Sequence, residues 1–282
     1  MNYFIADSHT DFMTTIKCII KREEYIKQCA QNGVKILGCA IFTTEYNFTV
    51  EDIKNFKVEL ENLSNKYGVK LLLCIEDIGF IKTSDDLERL IELKPFSVSL
   101  TWNYLNQYAG GANSNDGLTI LGKKTIKVLE DNSILVDTAH LSRRAFDDFV
   151  KITTLPIYNS HSNIFSLHPH QRNLTDGQIQ QIVDSGGYLG LTIYSKFISN
   201  NQISSADIAK QFDYLINNFG VDNFGVGSDL YGFDFKYCPA DVKSYTDFAN
   251  IAEGLRSFGY KQYQICKIMC DNFKRFYNKC RQ

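Results

Sequence analysis

The sequence has no stretch of about 18 or more apolar residues, so it offers no candidate for a membrane-spanning helix. It also has no long run of one charge: 30 basic residues stand against 32 acidic ones, a formal net charge of -2. Nothing in that balance points to nucleic acid or to an anionic membrane surface as a partner. Low-complexity segments, linkers and short repeats are missing, and residues 1–282 read as a single domain of a size common among barrels. The opening MNYFIADSHTD lacks a basic segment followed by an apolar one, which predicts a cytoplasmic protein. In that setting the eight cysteines are expected to be reduced thiols. Cys266 and Cys270 share a face of an expected C-terminal helix. No Cys/His pair at zinc-finger spacing accompanies them, so they read as ordinary packed thiols.

What is present is an alternation. Short apolar runs at 3–6, 34–42, 69–75, 96–100, 133–136, 155–159, 187–193 and 224–227 are separated by longer amphipathic segments. The runs do not alternate cleanly with polar residues, as expected for strands of a parallel sheet buried on both faces. Helix starts are marked at Ser84-Asp85-Asp86, before 87–93, and by capping boxes at Thr175/Gln178 and Ser204/Asp207. Gly186 and Gly220 sit where helices should stop. Eight strands alternating with helices predict an α/β fold, a (β/α)8 TIM-type barrel. The rival, a doubly wound open sheet, would carry a glycine-rich phosphate loop after its first strand; DSHTDF stands there instead.

In such barrels chemistry sits at the C-terminal ends of the strands. The first strand is followed by His9 and Asp11, two apart and so able to point to one side. The third ends in Glu76, the fourth in Trp102 and Asn103, the fifth in His140, the sixth in His161 and the eighth in Asp229. Each has an ordinary explanation alone: a turn residue, a helix cap, a satisfied core histidine, an ion pair with a lysine. Convergence of four such strand ends is far harder to explain by chance. Histidines and carboxylates together are a donor set for Zn²⁺. Five candidate ligands exceed the three that one catalytic zinc uses, so two metals fit better. A shared carboxylate would hold them about 3.5–4 Å apart, with a bridging hydroxide as nucleophile. No serine–histidine or cysteine–histidine motif competes.

These residues carry a resemblance to the renal (membrane) dipeptidase family of zinc peptidases, among the amidohydrolase-type barrels. Asp7-Ser8-His9-Thr10-Asp11 resembles that family's opening motif, and Glu76 its bridging glutamate. Leu100-Thr101-Trp102-Asn103, Gly110-Gly111, Gly117-Leu118-Thr119 and Val136-Asp137-Thr138-Ala139-His140-Leu141-Ser142 follow in the family's order. So do Ser160-His161-Ser162, Arg172-Asn173-Leu174-Thr175-Asp176, Gly227-Ser228-Asp229 and Asn272-Phe273-Lys274-Arg275. The ordered set spans nearly the whole chain.

The resemblance implies two zinc ions: His9 and Asp11 on the first, His140 and His161 on the second, and Glu76 bridging. It implies Asp229 as acid and base, and Arg172 as the group that holds the terminal carboxylate of a small dipeptide substrate. The chain departs from the animal members at Asn103, which stands at or near a substrate-contacting histidine of theirs. It also departs at Asp77 after the bridging glutamate, and at Leu230-Tyr231-Gly232 after Asp229. His168 and His170 read as loop residues near Arg172. Two rivals stand beside the dipeptidase. One is another binuclear metallohydrolase, acting on N-acyl amino acids, lactones or phosphoesters. The other is a non-catalytic ligand-binding barrel, which the intact set of ligand positions argues against. A homodimer is compatible with the sequence, although no residue marks an interface.

Overall fold

The computed structural model describes residues 3–44 and 46–281. Eight strands form a closed barrel: β1 (Ile5–Thr10), β2 (Val34–Phe42), β3 (Lys70–Glu76), β4 (Ser97–Ser99), β5 (Leu135–Asp137), β6 (Tyr158–Ser162), β7 (Tyr188–Leu191) and β8 (Phe224–Val226). They follow one another around the ring in chain order, and every neighbouring pair is parallel. Nearly every strand residue is buried, because helices cover the outside and side chains fill the inside. The capping boxes at Thr175/Gln178 and Ser204/Asp207 open the helices Asp176–Asp184 and Ser205–Phe219. Gly220, at φ 84°, ends the second of these in a backbone region that side chains with a Cβ avoid. The helix expected at 87–93 begins earlier, at Ser84, with Thr83 as its cap. Among the described residues no helix is long and apolar enough to cross a membrane.

Two strands are displaced from where the apolar runs suggest. β1 extends to Thr10, so His9 lies within it, and β6 extends to Ser162, so His161 lies within it. Both strands slip by one residue against a neighbour just there. Asp7 pairs with Leu37 but Thr10 with Cys39; Asn159 pairs with Leu189 but Ser162 with Leu191. Such bulges re-aim a side chain. Ala6 and Tyr158 belong to the cluster that fills the barrel's lower interior, and the histidines three residues later turn to the mouth instead.

The lower end is plugged. Ala6, Ile36, Leu72, Phe96, Leu135, Tyr158 and Tyr188 pack with Phe273 and Phe276 of the helix Asn272–Cys280. Cys270 joins that cluster from a π-helical turn, Lys267–Asp271, while Cys266 is half-buried on the preceding α-helix. The turn interrupts the single α-helical face expected for the two thiols. With one end closed by apolar packing, the mouth at the C-terminal ends of the strands is left for polar chemistry.

Candidate metal centre

The sequence-predicted residues do meet there. His9, Asp11, Glu76, His140 and His161 come from or follow β1, β3, β5 and β6, and none is more than 6% exposed. Glu76 stands at the centre. Its Oε1 lies 2.8 Å from His140 Nε2 and 4.0 Å from His161 Nε2. Its Oε2 lies 3.7 Å from His9 Nε2, which is itself 3.3 Å from Asp11 Oδ2. One carboxylate thus faces two separate ligand groups, His9–Asp11–Glu76 and Glu76–His140–His161. Asp229 Oδ1 is 3.9 Å from His9 Nε2, and a third grouping, His9–His161–Asp229, is equally compact.

The cluster is short of hydrogen-bond partners. His9 Nε2 and both Asp11 carboxylate oxygens are buried without a hydrogen-bond partner, an arrangement that costs free energy unless something else binds them. Asn103 Oδ1 accepts from His140 Nδ1 at 2.9 Å, which leaves the Nε2 lone pair of His140 facing Glu76 Oε1. Two lone pairs at that distance need a proton or a cation between them. The backbone reserves room as well. A Cβ on Gly232 would lie 2.2 Å from Asp229 Oδ1 and 2.6 Å from Asp11 Oδ2. His140 (φ 69°), Asp229 (φ 61°) and Tyr231 (φ 70°) hold left-handed backbone, the kind of strain that concentrates at functional sites. The residues present fit divalent metal.

Protonation follows from the same deficit. Burial works against a charged His9, but Asp11 and Glu76 outweigh it and push the imidazole well above its usual range. Burial favours a neutral Glu76 too, yet the imidazoles of His140 and His9 beside its two oxygens hold it well below the ordinary carboxylate range. Burial and the Glu76 charge raise Asp11 to about 6, and burial with the Asp11 charge raises Asp229 well above normal. Burial and the Arg172 charge lower His140 to about 4; burial with the His9 charge lowers His161 well below its usual value. A cation held here would compete with the protons that these raised values favour on His9 and Asp229.

Motif residues with no role assigned from the sequence hold this arrangement. Ser160 Oγ touches His161 Nδ1 at 2.8 Å and His9 Nδ1 at 3.2 Å, so one hydroxyl orients a histidine of each group. Asp7 Oδ1 accepts from the backbone N–H of His9 and of Ser228, and Asp137 Oδ1 from those of Ala139 and Ser160. Each aspartate ties two site-bearing segments together; the signal available was an acidic residue two or three places before a histidine. Asn103, expected at the substrate, lines the cavity, and its Oδ1 accepts from His140 Nδ1. Arg172 is buried, donates to the His161 carbonyl (3.1 Å) and Ser162 Oγ (3.4 Å), and leaves its Nε unpartnered. Burial lowers its guanidinium to about 10, still cationic at neutral pH. His170 lines the cavity beside it and accepts from the Arg172 N–H; His168 lies outside the lining. The cavity over the site holds about 480 Å³, room for a small ligand.

The sequence model of the membrane dipeptidase family, peptidase family M19, matches residues 19–282. The chain belongs to that family. As a membrane dipeptidase family member it is a metal-dependent dipeptidase. A Klebsiella pneumoniae protein, described as an uncharacterized protein in the pqqA 5' region, is 30% identical over 210 residues, 70% of this chain and 76% of that protein. Among solved structures, dipeptidase AC, a family M19 metallopeptidase, superposes with a TM-score of 0.86 at 20% identity, covering 99% of both chains. A Rhodobacter sphaeroides metallopeptidase, liganded with a phosphinate mimic of the dipeptide L-Ala-D-Ala, gives 0.85 at 18% identity, covering 99% of this chain and 100% of that one. These likenesses confirm the barrel fold. The family match begins after His9 and Asp11, so their place at the site rests on the geometry above.

Proposed function

We propose that this dipeptidase works on a pair of zinc ions, with His9 and Asp11 on one, His140 and His161 on the other, and Glu76 shared. The observation that carries the reading is the placement of Glu76, whose two oxygens face two different ligand groups. Zinc is favoured by the imidazole and carboxylate donors. When bound, the ions supply Lewis acidity at the scissile carbonyl and a water of lowered pKa. The chain's own residues do the rest. Asp229, 3.9 Å from His9 Nε2 and held in left-handed backbone at the cavity wall, accepts a proton from the attacking water and passes it to the leaving amine. Ser160 fixes the ring planes of His9 and His161, and Asn103 that of His140. Arg172 receives the substrate's terminal carboxylate. A cytoplasmic setting belongs to the same proposal, as one that keeps eight unpaired thiols reduced.

Two results are expected. Arg172→Ala raises KM for dipeptides with a free carboxylate about 10- to 100-fold, the worth of a charge-assisted hydrogen bond, and changes kcat little. With C-terminally amidated dipeptides the mutant and parent converge; an unchanged KM for free dipeptides removes Arg172 from this role. Ser160→Ala weakens zinc binding about 10- to 100-fold in competition with a chromophoric chelator, because two buried imidazole N–H groups lose their acceptor. Parental affinity in that mutant would show that the Ser160 contacts do not orient the ligands.

A further inference from the structure

Aromatic rings line both sides of the cavity, but only one side, that of Tyr194, Phe197 and Phe233, also carries lining arginine and lysine. Arg172, with its unpartnered Nε, and Lys196 stand on the side of β6 and β7. Phe42 ends β2, four strands away from β6 on a ring of eight, and so lies across the mouth. There it meets Trp102 edge to face, with ring centroids 5.4 Å apart, and Tyr46 at 6.5 Å. Trp102 reaches to 6.0 Å from the His140 ring, so this wall begins at the ligands themselves. It is also held in place. Tyr46 stacks on Phe48 at 5.1 Å, and the Lys17 ammonium, tied to the Thr14 carbonyl, covers the Tyr46 ring at 4.1 Å. All three wall residues are half-buried and line the cavity, leaving ring surface to be covered by a ligand.

Two groups already assigned, Arg172 and the Glu76–His140 pair, orient a dipeptide between these sides. With its carboxylate at Arg172 and its scissile carbonyl beside Glu76 and His140, the N-terminal residue falls across the mouth, against Phe42, Tyr46 and Trp102. We infer that these three residues select dipeptides whose N-terminal side chain is aromatic or large and apolar. The inference rests on the dipeptidase reading and names its substrate class.

The test compares Phe-Ala, Leu-Ala, Gly-Ala and Asp-Ala on the zinc-loaded protein. Phe-Ala and Leu-Ala are expected to exceed Gly-Ala and Asp-Ala in kcat/KM by about tenfold or more, within the roughly 10- to 200-fold that apolar pocket contacts discriminate. Trp102→Ala should narrow that ratio. Phe42→Leu, which keeps an apolar side chain in the wall, should lower the ratio of Phe-Ala to Leu-Ala. A second readout needs no turnover. Trp102 is the only tryptophan in the chain, so the emission of the metal-free protein reports occupancy of the wall. Phe-Ala should shift that emission at lower concentration than Gly-Ala. Dipeptide hydrolysis with no N-terminal preference, ratios unmoved in both variants, or equal fluorescence midpoints would overturn the inference alone. Hydrolysis of none of the four dipeptides would overturn the underlying reading together with it.

Discussion

Replacing Asp229 by asparagine is expected to lower kcat by about 10²- to 10⁴-fold, the usual contribution of a positioned acid–base group, while metal content stays at the parental level. The substitution isolates the proton. Asparagine has nearly the same shape and is one of the few residues that tolerate left-handed backbone, which position 229 requires at φ 61°. It keeps an oxygen toward His9 but cannot take up and return a proton. The outcome also separates two roles that the distances alone leave joined, because Asp229 forms a compact group with His9 and His161 as well. Slow turnover with full metal makes Asp229 the acid–base group. Loss of metal makes it a ligand, and normal turnover removes it from the chemistry.

The second large effect is expected at Glu76. Glu76→Gln retains the size of the side chain and one acceptor oxygen. It replaces the other oxygen by an amide NH2, which cannot ligate a cation. Since Oε1 faces His140 and Oε2 faces His9, one group or the other must lose its shared oxygen. The loss should exceed the roughly 10- to 100-fold in affinity that removal of a mere orienting partner costs. The purified mutant should therefore hold fewer metal ions per chain than the parent after dialysis against a mild chelator. Its dipeptidase kcat/KM should fall by more than about 100-fold, as a centre with one oxygen short predicts. Parental metal content and affinity in this mutant would mean that Glu76 does not bridge.

Much of this was legible in the sequence, for physical reasons. Strands buried on both faces must be apolar throughout, so eight apolar runs revealed eight strands and their number revealed the barrel. Residues that carry chemistry sit past the strands, so His9, Asp11, Glu76, His140, His161 and Asp229 could be named together. What stayed hidden depends on pairing between distant segments. The slips between Asp7 and Thr10 and between Asn159 and Ser162 are set by β2 and β7, and they carried His9 and His161 into strands rather than beyond them. Simple two-residue alternation does not describe β1 at that point. Ser160 reads as a strand serine until its hydroxyl is seen between two imidazoles. Gly232 reads as a turn glycine until the oxygens of Asp11 and Asp229 are found where its Cβ would be. Asn103 reads as a strand-end residue near the substrate, but its hydrogen bond to His140 follows only from the approach of the segments after β4 and β5. The wall joins Phe42 and Tyr46, which follow one another after β2, to Trp102 after β4, two parts of the chain that no local pattern connects.

The most direct measurement of the central claim is zinc per chain in protein purified without added metal, with dipeptidase activity followed through chelation and zinc restoration. A shared Glu76 predicts close to two zinc ions per chain, activity lost on chelation, and activity regained as the second equivalent is restored. A single equivalent that supports full activity, or hydrolysis that survives complete removal of metal, would contradict it.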